Sequence, residues 1–310
     1  MSIEKLKKND SIALVCTGTP SETEKDAQLS KNYLWNNYEI KACYQHDTFR
    51  VLPAIERARI FFQYLQDDRL KMIWSLRGGE GTADIIPYLE QKAGLIRAFT
   101  PKLLMGFSDF TPIINYFQQR FNWPTIHGPG ARQLVHRMIN KTSEKVTLDW
   151  LQARTQQIEL TDLKPLNIAA HENRIIRAPI VGGNLSLVHI SVNDIWELDV
   201  ANKILLLEEV NEKPHKVTRT LKHLNRIGFF NGVKAILFAG FDLAENLHSD
   251  IKRSMQNVLK QFAQEIVCPV LFTDLIGHGE NNVLLPFYVD TELHLGHKPR
   301  LVIKGRPIFS

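Results

Sequence analysis

The sequence predicts an α/β protein built on a parallel sheet with helices on both faces. Two observations carry that expectation. In the first half of the chain, short apolar runs alternate with stretches of helical period. Small-residue turns also sit where those runs end: Thr17-Gly-Thr-Pro20, Arg77-Gly-Gly-Glu-Gly81 and Gly106-Phe-Ser-Asp109. Ligands of open parallel sheets bind at the carboxyl ends of the strands, so the three turns are expected to meet at one site.

The elements follow in order. Ser11–Cys16 reads as a strand, and Ser21 to about Asn36 as a helix with Ser21 as N-cap and Glu24 three residues on. Glu39–Cys43 is a second strand, and Pro53–Gln66 a helix with apolar residues at Ile55, Ala58, Phe62 and Leu65. Lys71–Leu76 is a strand entering the glycine turn, followed by a helix from Ala83 to Gln91. Lys102–Gly106 is the next strand and Thr111–Arg120 the next helix. From about Asn140 to Arg174 the chain turns polar and loses its period, so a domain boundary is placed there. The expected division is residues 1–150, a linker at 151–174, and 175–310. In the second part, Ile204–Leu207 is a strand ending on Glu208 and Glu209, Val217–Ile227 a helix, and Val233–Phe241 a strand. Ser249–Phe262 is a helix, and Pro269–Phe272 a strand before Gly277-His-Gly279.

Composition narrows the class. The 310 residues are 44% apolar and 23% charged, which suits a chain with a sizeable core. The net charge of +5 is spread along the chain, without the basic stripe that nucleic-acid binding requires. The three cysteines, Cys16, Cys43 and Cys268, have no framework spacing, which fits a reducing compartment. Residues 1–10 show no apolar signal core, and no apolar run reaches membrane-spanning length. The expectation is a cytoplasmic protein with neither a nucleic-acid nor a membrane partner.

Ser108 is the first candidate for chemistry. A serine at a sharp turn between strand and helix exposes its hydroxyl above the sheet, and the next backbone amide points at a developing oxyanion. The competing reading makes Ser108 or Asp109 the N-cap of the helix beginning near Thr111. Among the 11 histidines, His278 lies between two glycines past an apolar strand and suits a general base; His127, in His-Gly-Pro, is its rival. Either histidine could instead be an ordinary turn residue. A carboxylate ending the apolar strand Ile204–Leu207 needs a partner. Glu208 and Glu209 point to opposite sides of a continuing strand, so one of them should face inward. The segment Arg77-Gly-Gly-Glu-Gly could supply a second oxyanion donor or hold a phosphate. It matches neither a Walker loop nor a dinucleotide fingerprint, and there is no zinc-ligand spacing, so no cofactor or metal is called for. Cys16, at a strand end, reads as a small core residue rather than a nucleophile.

Taken together, Arg77-Gly-Gly-Glu-Gly81, Met105-Gly-Phe-Ser-Asp-Phe-Thr111, His127-Gly-Pro129, Gly182-Gly-Asn-Leu-Ser186, Leu205-Leu-Leu-Glu-Glu-Val210 and Gly277-His-Gly279 resemble the LD-carboxypeptidase family of serine peptidases, in order and at similar separations. That family includes muramoyl-tetrapeptide carboxypeptidases and microcin C self-immunity peptidases. The resemblance implies an N-terminal flavodoxin-like domain, a C-terminal swivelling α/β domain and a homodimer. It implies a catalytic triad of Ser108, Glu208 and His278, with Glu208 chosen as the first acidic residue after the strand. It also implies an oxyanion hole from the amides of Gly79 and Asp109. Arg77 is a candidate for the substrate's terminal carboxylate, or else a structural ion-pair partner. Glu80 stands where the family commonly has an aromatic residue, and Gly130 where a larger apolar one is usual. Both departures bear on substrate choice.

Three functions follow as expectations: release of terminal D-alanine from murein tetrapeptide in cell-wall recycling, cleavage of an aminoacyl-nucleotide antibiotic, or non-catalytic binding of an anion or sugar-peptide. The second would favour an aromatic residue stacked on the base, for which Trp196 is the candidate.

Overall fold

A computed structural model describes residues 5–18, 24–155, 157–242 and 249–304. The expected cap Ser21 and the end of the first turn, Thr19 and Pro20, lie outside the described residues.

The first sheet arises from the apolar runs of the first half. Its elements are β1 (Ser11–Val15), α1 (Glu24–Tyr38), β2 (Lys41–Cys43), α2 (Ala54–Gln66), β3 (Leu70–Ser75), α3 (Ile86–Glu90), α4 (Ala93–Ile96), β4 (Leu103–Gly106), α5 (Thr111–Phe121), β5 (Thr125–His127), α6 (Ala131–Val135) and α7 (Lys141–Leu151). The helix expected at Ala83–Gln91 begins as a 3-10 turn over Ala83–Ile85 and becomes α3 at Ile86. The five strands are parallel and run in the order 2-1-3-4-5, the flavodoxin-like arrangement. All of β4 is buried, which explains why it reads as an unbroken apolar run rather than an alternating one. Helix α5 ends on Asn122 in the left-handed conformation, where an Asn is readily accommodated.

The rest of the chain supplies β6 (Gln157–Leu160), β7 (Lys164–Pro165), β8 (Ile175–Arg177), β9 (Ile180–Asn184), α8 (Leu185–Ile190), β10 (Ile204–Val210), α9 (Pro214–Arg226), β11 (Ala235–Asp242), α10 (Ser249–Gln264), β12 (Val270–Phe272), β13 (Leu285–Pro286), β14 (Thr291–His294) and β15 (Arg300–Lys304). Strands β9 to β12 form a second parallel sheet, edged by antiparallel β7. A third sheet, β6-β15-β14-β8, is antiparallel. The stretch expected as a linker therefore contains β6 and β7, each paired with strands from the far end of the chain. Strand β13 leaves the C-terminal part and pairs antiparallel with β5, closing one edge of the first sheet.

One apolar core joins the first and third sheets to one face of the second, and another lies on the second sheet's opposite face under its helices. In the latter, Leu205, Leu207, Val217, Leu221, Phe238 and Leu259 are buried, each contributing roughly 1.5–3 kcal/mol. Gly182 on β9 has φ +129°, and a Cβ there would be driven into the Leu206 carbonyl of β10. Gly182→Ala is expected to destabilise the fold by roughly 2–4 kcal/mol, read as a lower urea midpoint at unchanged slope.

Candidate active site

Ser108 follows the last residues of β4 and Phe107, in a single 3-10 turn, Ser108–Phe110, ahead of α5. Its φ is +54°, a left-handed conformation that costs energy for any residue with a Cβ. No side chain caps either helical segment, so the capping explanation of Ser108 and Asp109 fails. The strained turn instead lifts the hydroxyl off the sheet. The glycine loop makes room for it: a Cβ on Gly78 would stand 2.8 Å from Ser108 Oγ.

Asp109 ties the two turns together. Its Oδ2 accepts hydrogen bonds from the Thr82 amide at 3.1 Å and the Thr82 hydroxyl at 2.6 Å. Thr82 also meets Thr17 Oγ1 at 2.7 Å, and Arg57 donates to the carbonyls of Thr17 and Gly81. Burial pushes the Asp109 carboxyl upward, against the bonds from Thr82. The result is a rigid junction in which the turns after β1, β3 and β4 converge, as expected from the strand ends.

Across the cleft, Glu208 and His278 pair directly, with Oε2 to Nδ1 at 2.9 Å. Burial would raise the Glu208 carboxyl, but the charge and hydrogen bond of His278 outweigh it and hold it below its usual range. His278 reaches this position on the loop after β12. The Gly240 amide donates to Ile276 O at 2.7 Å, fixing that loop on β11. Buried Asn282 then anchors the loop to α6 and α7 by bonds to Gln133 and Ser143, both at 3.1 Å.

Both faces of β10 are covered, so both carboxylates are buried, not one. Glu209 accepts from Asn184 Nδ2, Ser186 N, Ser186 Oγ and Val210 N at 2.6–3.0 Å, so its oxygens are committed to the scaffold. Burial raises its carboxyl despite those bonds. Glu208 is thus the carboxylate in contact with the imidazole. His127, the rival base, is fully buried, and burial holds it neutral by lowering it to about 4.

Ser108 and His278 line the same cleft, of about 700 Å³, with Arg77, Gly78, Gly79, Glu80 and Phe107. Among the described residues, no hydrogen bond joins Ser108 Oγ to His278; catalytic contacts often close only with substrate seated. The cleft also contains Arg132, Met138, Asn211 and Glu212, which the sequence did not single out. Arg132 is held by Asp26 at 2.9 Å, and nothing local in the sequence joins those two positions. Trp196 is 2% exposed and belongs to the core, so it is not a base-stacking residue. Cys16 is buried, as expected of a core residue.

Comparison with known proteins gives matches to the profiles of the LD-carboxypeptidase N-terminal domain over residues 12–128 and the LD-carboxypeptidase C-terminal domain over residues 177–293. A Rickettsia prowazekii protein provisionally named a carboxypeptidase is 31% identical, covering 88% of this chain and 84% of its own. The murein tetrapeptide carboxypeptidase of Pseudomonas aeruginosa is 27% identical over 69% of each chain. Among solved structures, the MccF-like protein of Bacillus anthracis superimposes with a TM-score of 0.82 at 20% identity, covering 99% of this chain and 100% of its own. The muramoyltetrapeptide carboxypeptidase of Oxalobacter formigenes gives 0.78 at 20% identity, covering 96% and 99%. At these identities the structural matches establish the two-domain α/β fold.

Proposed function

This chain belongs to the LD-carboxypeptidase family, and on that footing we propose that it is a serine carboxypeptidase releasing terminal D-alanine from a murein tetrapeptide by hydrolysis of an L,D-peptide bond. The observation that carries the reading is the buried Glu208–His278 pair, placed on the same cleft as a serine in a strained left-handed turn. The name of the Pseudomonas aeruginosa relative supports the substrate class.

In the proposed mechanism His278 takes the proton of Ser108 Oγ as that oxygen attacks the scissile carbonyl carbon. Glu208 holds the imidazole by Nδ1 and stabilises the imidazolium that forms. The amides of Gly79 and Asp109 receive the oxyanion, the second held in place by the Asp109–Thr82 bonds. Collapse breaks the C–N bond, His278 returns its proton to the leaving amine, and D-alanine departs. Water, deprotonated by His278, then attacks the acyl-serine ester and frees the shortened peptide. The reaction needs no cofactor. Arg77 would bind the free carboxylate bidentately, and Glu80 would meet a cationic group of the peptide. The reading includes a cytoplasmic place in cell-wall recycling, a homodimer, and a division of the triad between a domain spanning 1–150 and one spanning 175–310.

Mass spectrometry after incubation with murein tetrapeptide is expected to show the tripeptide and free D-alanine. With Arg77→Gln the same products should form at a KM raised about 10–100-fold, the scale of a lost charged bidentate contact. Unchanged tetrapeptide alongside cleavage of an aminoacyl sulfamoyl adenylate would reverse the substrate assignment.

A further inference from the structure

His127 sits at the carboxyl end of β5, beside Gly106 of β4 and Leu285 of β13. Its side chain is fully buried, and among the described residues neither Nδ1 nor Nε2 has a hydrogen-bond partner. Phe287 stacks on the ring at 6.0 Å, and Phe107 meets it edge-on at 6.4 Å. Such a slot is apolar, and a phenyl ring would fill it without desolvating two nitrogens. The same Phe107 ring lies 4.7 Å from His278, so one ring packs against both imidazoles. Glu208 uses Oε2 on His278, while its Oε1 is buried and also lacks a partner. A buried imidazole and a buried carboxylate oxygen, both unmatched, thus flank the Phe107–His278 contact.

We infer that His127 is a positioning residue for the proposed triad: as a neutral imidazole it presents a ring N–H to the Oε1 side of Glu208 through one buried water, leaving Oε2 to His278. The inference rests on the serine-hydrolase reading above. The titratable groups facing this assembly are Glu208 and Glu209 from β10 and His278 from the loop after β12; β9 contributes uncharged Asn184. On the cleft side stand Arg77, Glu80, Arg132 and Glu212. An N–H dipole aimed at Glu208 stabilises the net-negative state, with His278 neutral, more than the ion pair with His278 protonated. It therefore keeps the base deprotonated to lower pH. Removing the dipole should move the acidic limb of reactivity upward.

The test follows Ser108 labelling by a fluorophosphonate against pH, which requires no knowledge of the substrate. His127→Phe fills the slot without an N–H. It is expected to slow labelling at neutral pH by about 10-fold and to shift the acidic limb up by about half a pH unit or more. His127→Gln, which restores a donor, should recover most of both. A His127→Phe protein labelled with the native rate and profile, or slowed with an unshifted profile, overturns the inference. A second arm covers failure of the variant to fold: imidazole ¹⁵N shifts of the native protein should show His127 neutral down to about pH 5, with the protonated nitrogen responding to Glu208→Gln. A titrating or unresponsive His127 overturns it as well. If the native protein is not labelled at Ser108, the serine-hydrolase reading fails by itself, and the ¹⁵N arm still decides whether His127 engages Glu208.

Discussion

Ser108→Ala is expected to lower kcat for D-alanine release by roughly 10⁴-fold or more while leaving the protein folded. Without Oγ there is no atom to form the acyl-enzyme, and His278 has no hydroxyl to deprotonate. Residual turnover would come from water attacking a carbonyl still polarised by the Gly79 and Asp109 amides. The stability change should stay within about 1 kcal/mol, because alanine bears the same left-handed strain as serine and Oγ makes no hydrogen bond among the described residues. Thermal melting and fluorophosphonate labelling separate the two effects. The variant should melt like the native protein and take up no label, whereas native turnover in the variant would end the case for Ser108 as nucleophile.

The second large effect is expected at Glu208→Gln, with kcat/KM falling roughly 10³–10⁴-fold. A glutamine can offer an N–H to His278 Nδ1, which fixes the tautomer whose Nε2 already carries a proton and cannot act as base. The imidazolium also loses its counter-charge, so the acidic limb of the rate profile should move to lower pH, opposite to the shift expected for His127→Phe. Stability supplies an independent readout. The folded Glu208 carboxyl is lowered from its ordinary value of 4.5, so the unfolded chain binds its proton first as pH falls. Its contribution to stability is complete above the unfolded value and is lost as pH drops through the folded one. Glu208→Gln should accordingly flatten the acid side of the stability curve, measured by urea melts between about pH 3 and 6. A native rate at pH 7 in this variant would assign the supporting acid elsewhere.

How much of this was legible beforehand depends on the range of the interactions involved. The central strands of the first sheet are almost wholly buried, so Ser11–Val15, Leu70–Ser75 and Leu103–Gly106 stand out as apolar runs between turn residues. The third sheet left no such trace. Its strands are short, β6 and β8 alternate buried and exposed residues, and the partners are remote: Leu160 pairs with Leu301, and Ile176 with Leu293. A polar stretch such as 151–174 gives no local sign of such pairing.

The site divides the same way. Ser108, Glu208 and His278 could be named because each sits at the end of a recognisable strand or between glycines, and because the segments keep a family's order. Local sequence still left Ser108 open to a capping role, which only its backbone conformation and absent cap removed. The burial of Glu209 alongside Glu208 depends on packing against both faces of β10, which local sequence does not encode. The Asp109–Thr82 clamp and the Asp26–Arg132 pair join positions that are neighbours only once the sheet and its helices have assembled.

Strand β13 gives the architecture a temporal meaning. Its residues complete the edge of a sheet whose other strands emerge from the ribosome far earlier, and His278 lies just ahead of it in the chain. A nascent polypeptide halted before Leu285 would hold the nucleophile turn with β5 uncovered on one side, a template for pairing with a neighbour. On the proposed triad, no base is available until the segment carrying His278 has been translated. Products truncated ahead of His278 should emerge as sticky chains that lack the proposed base.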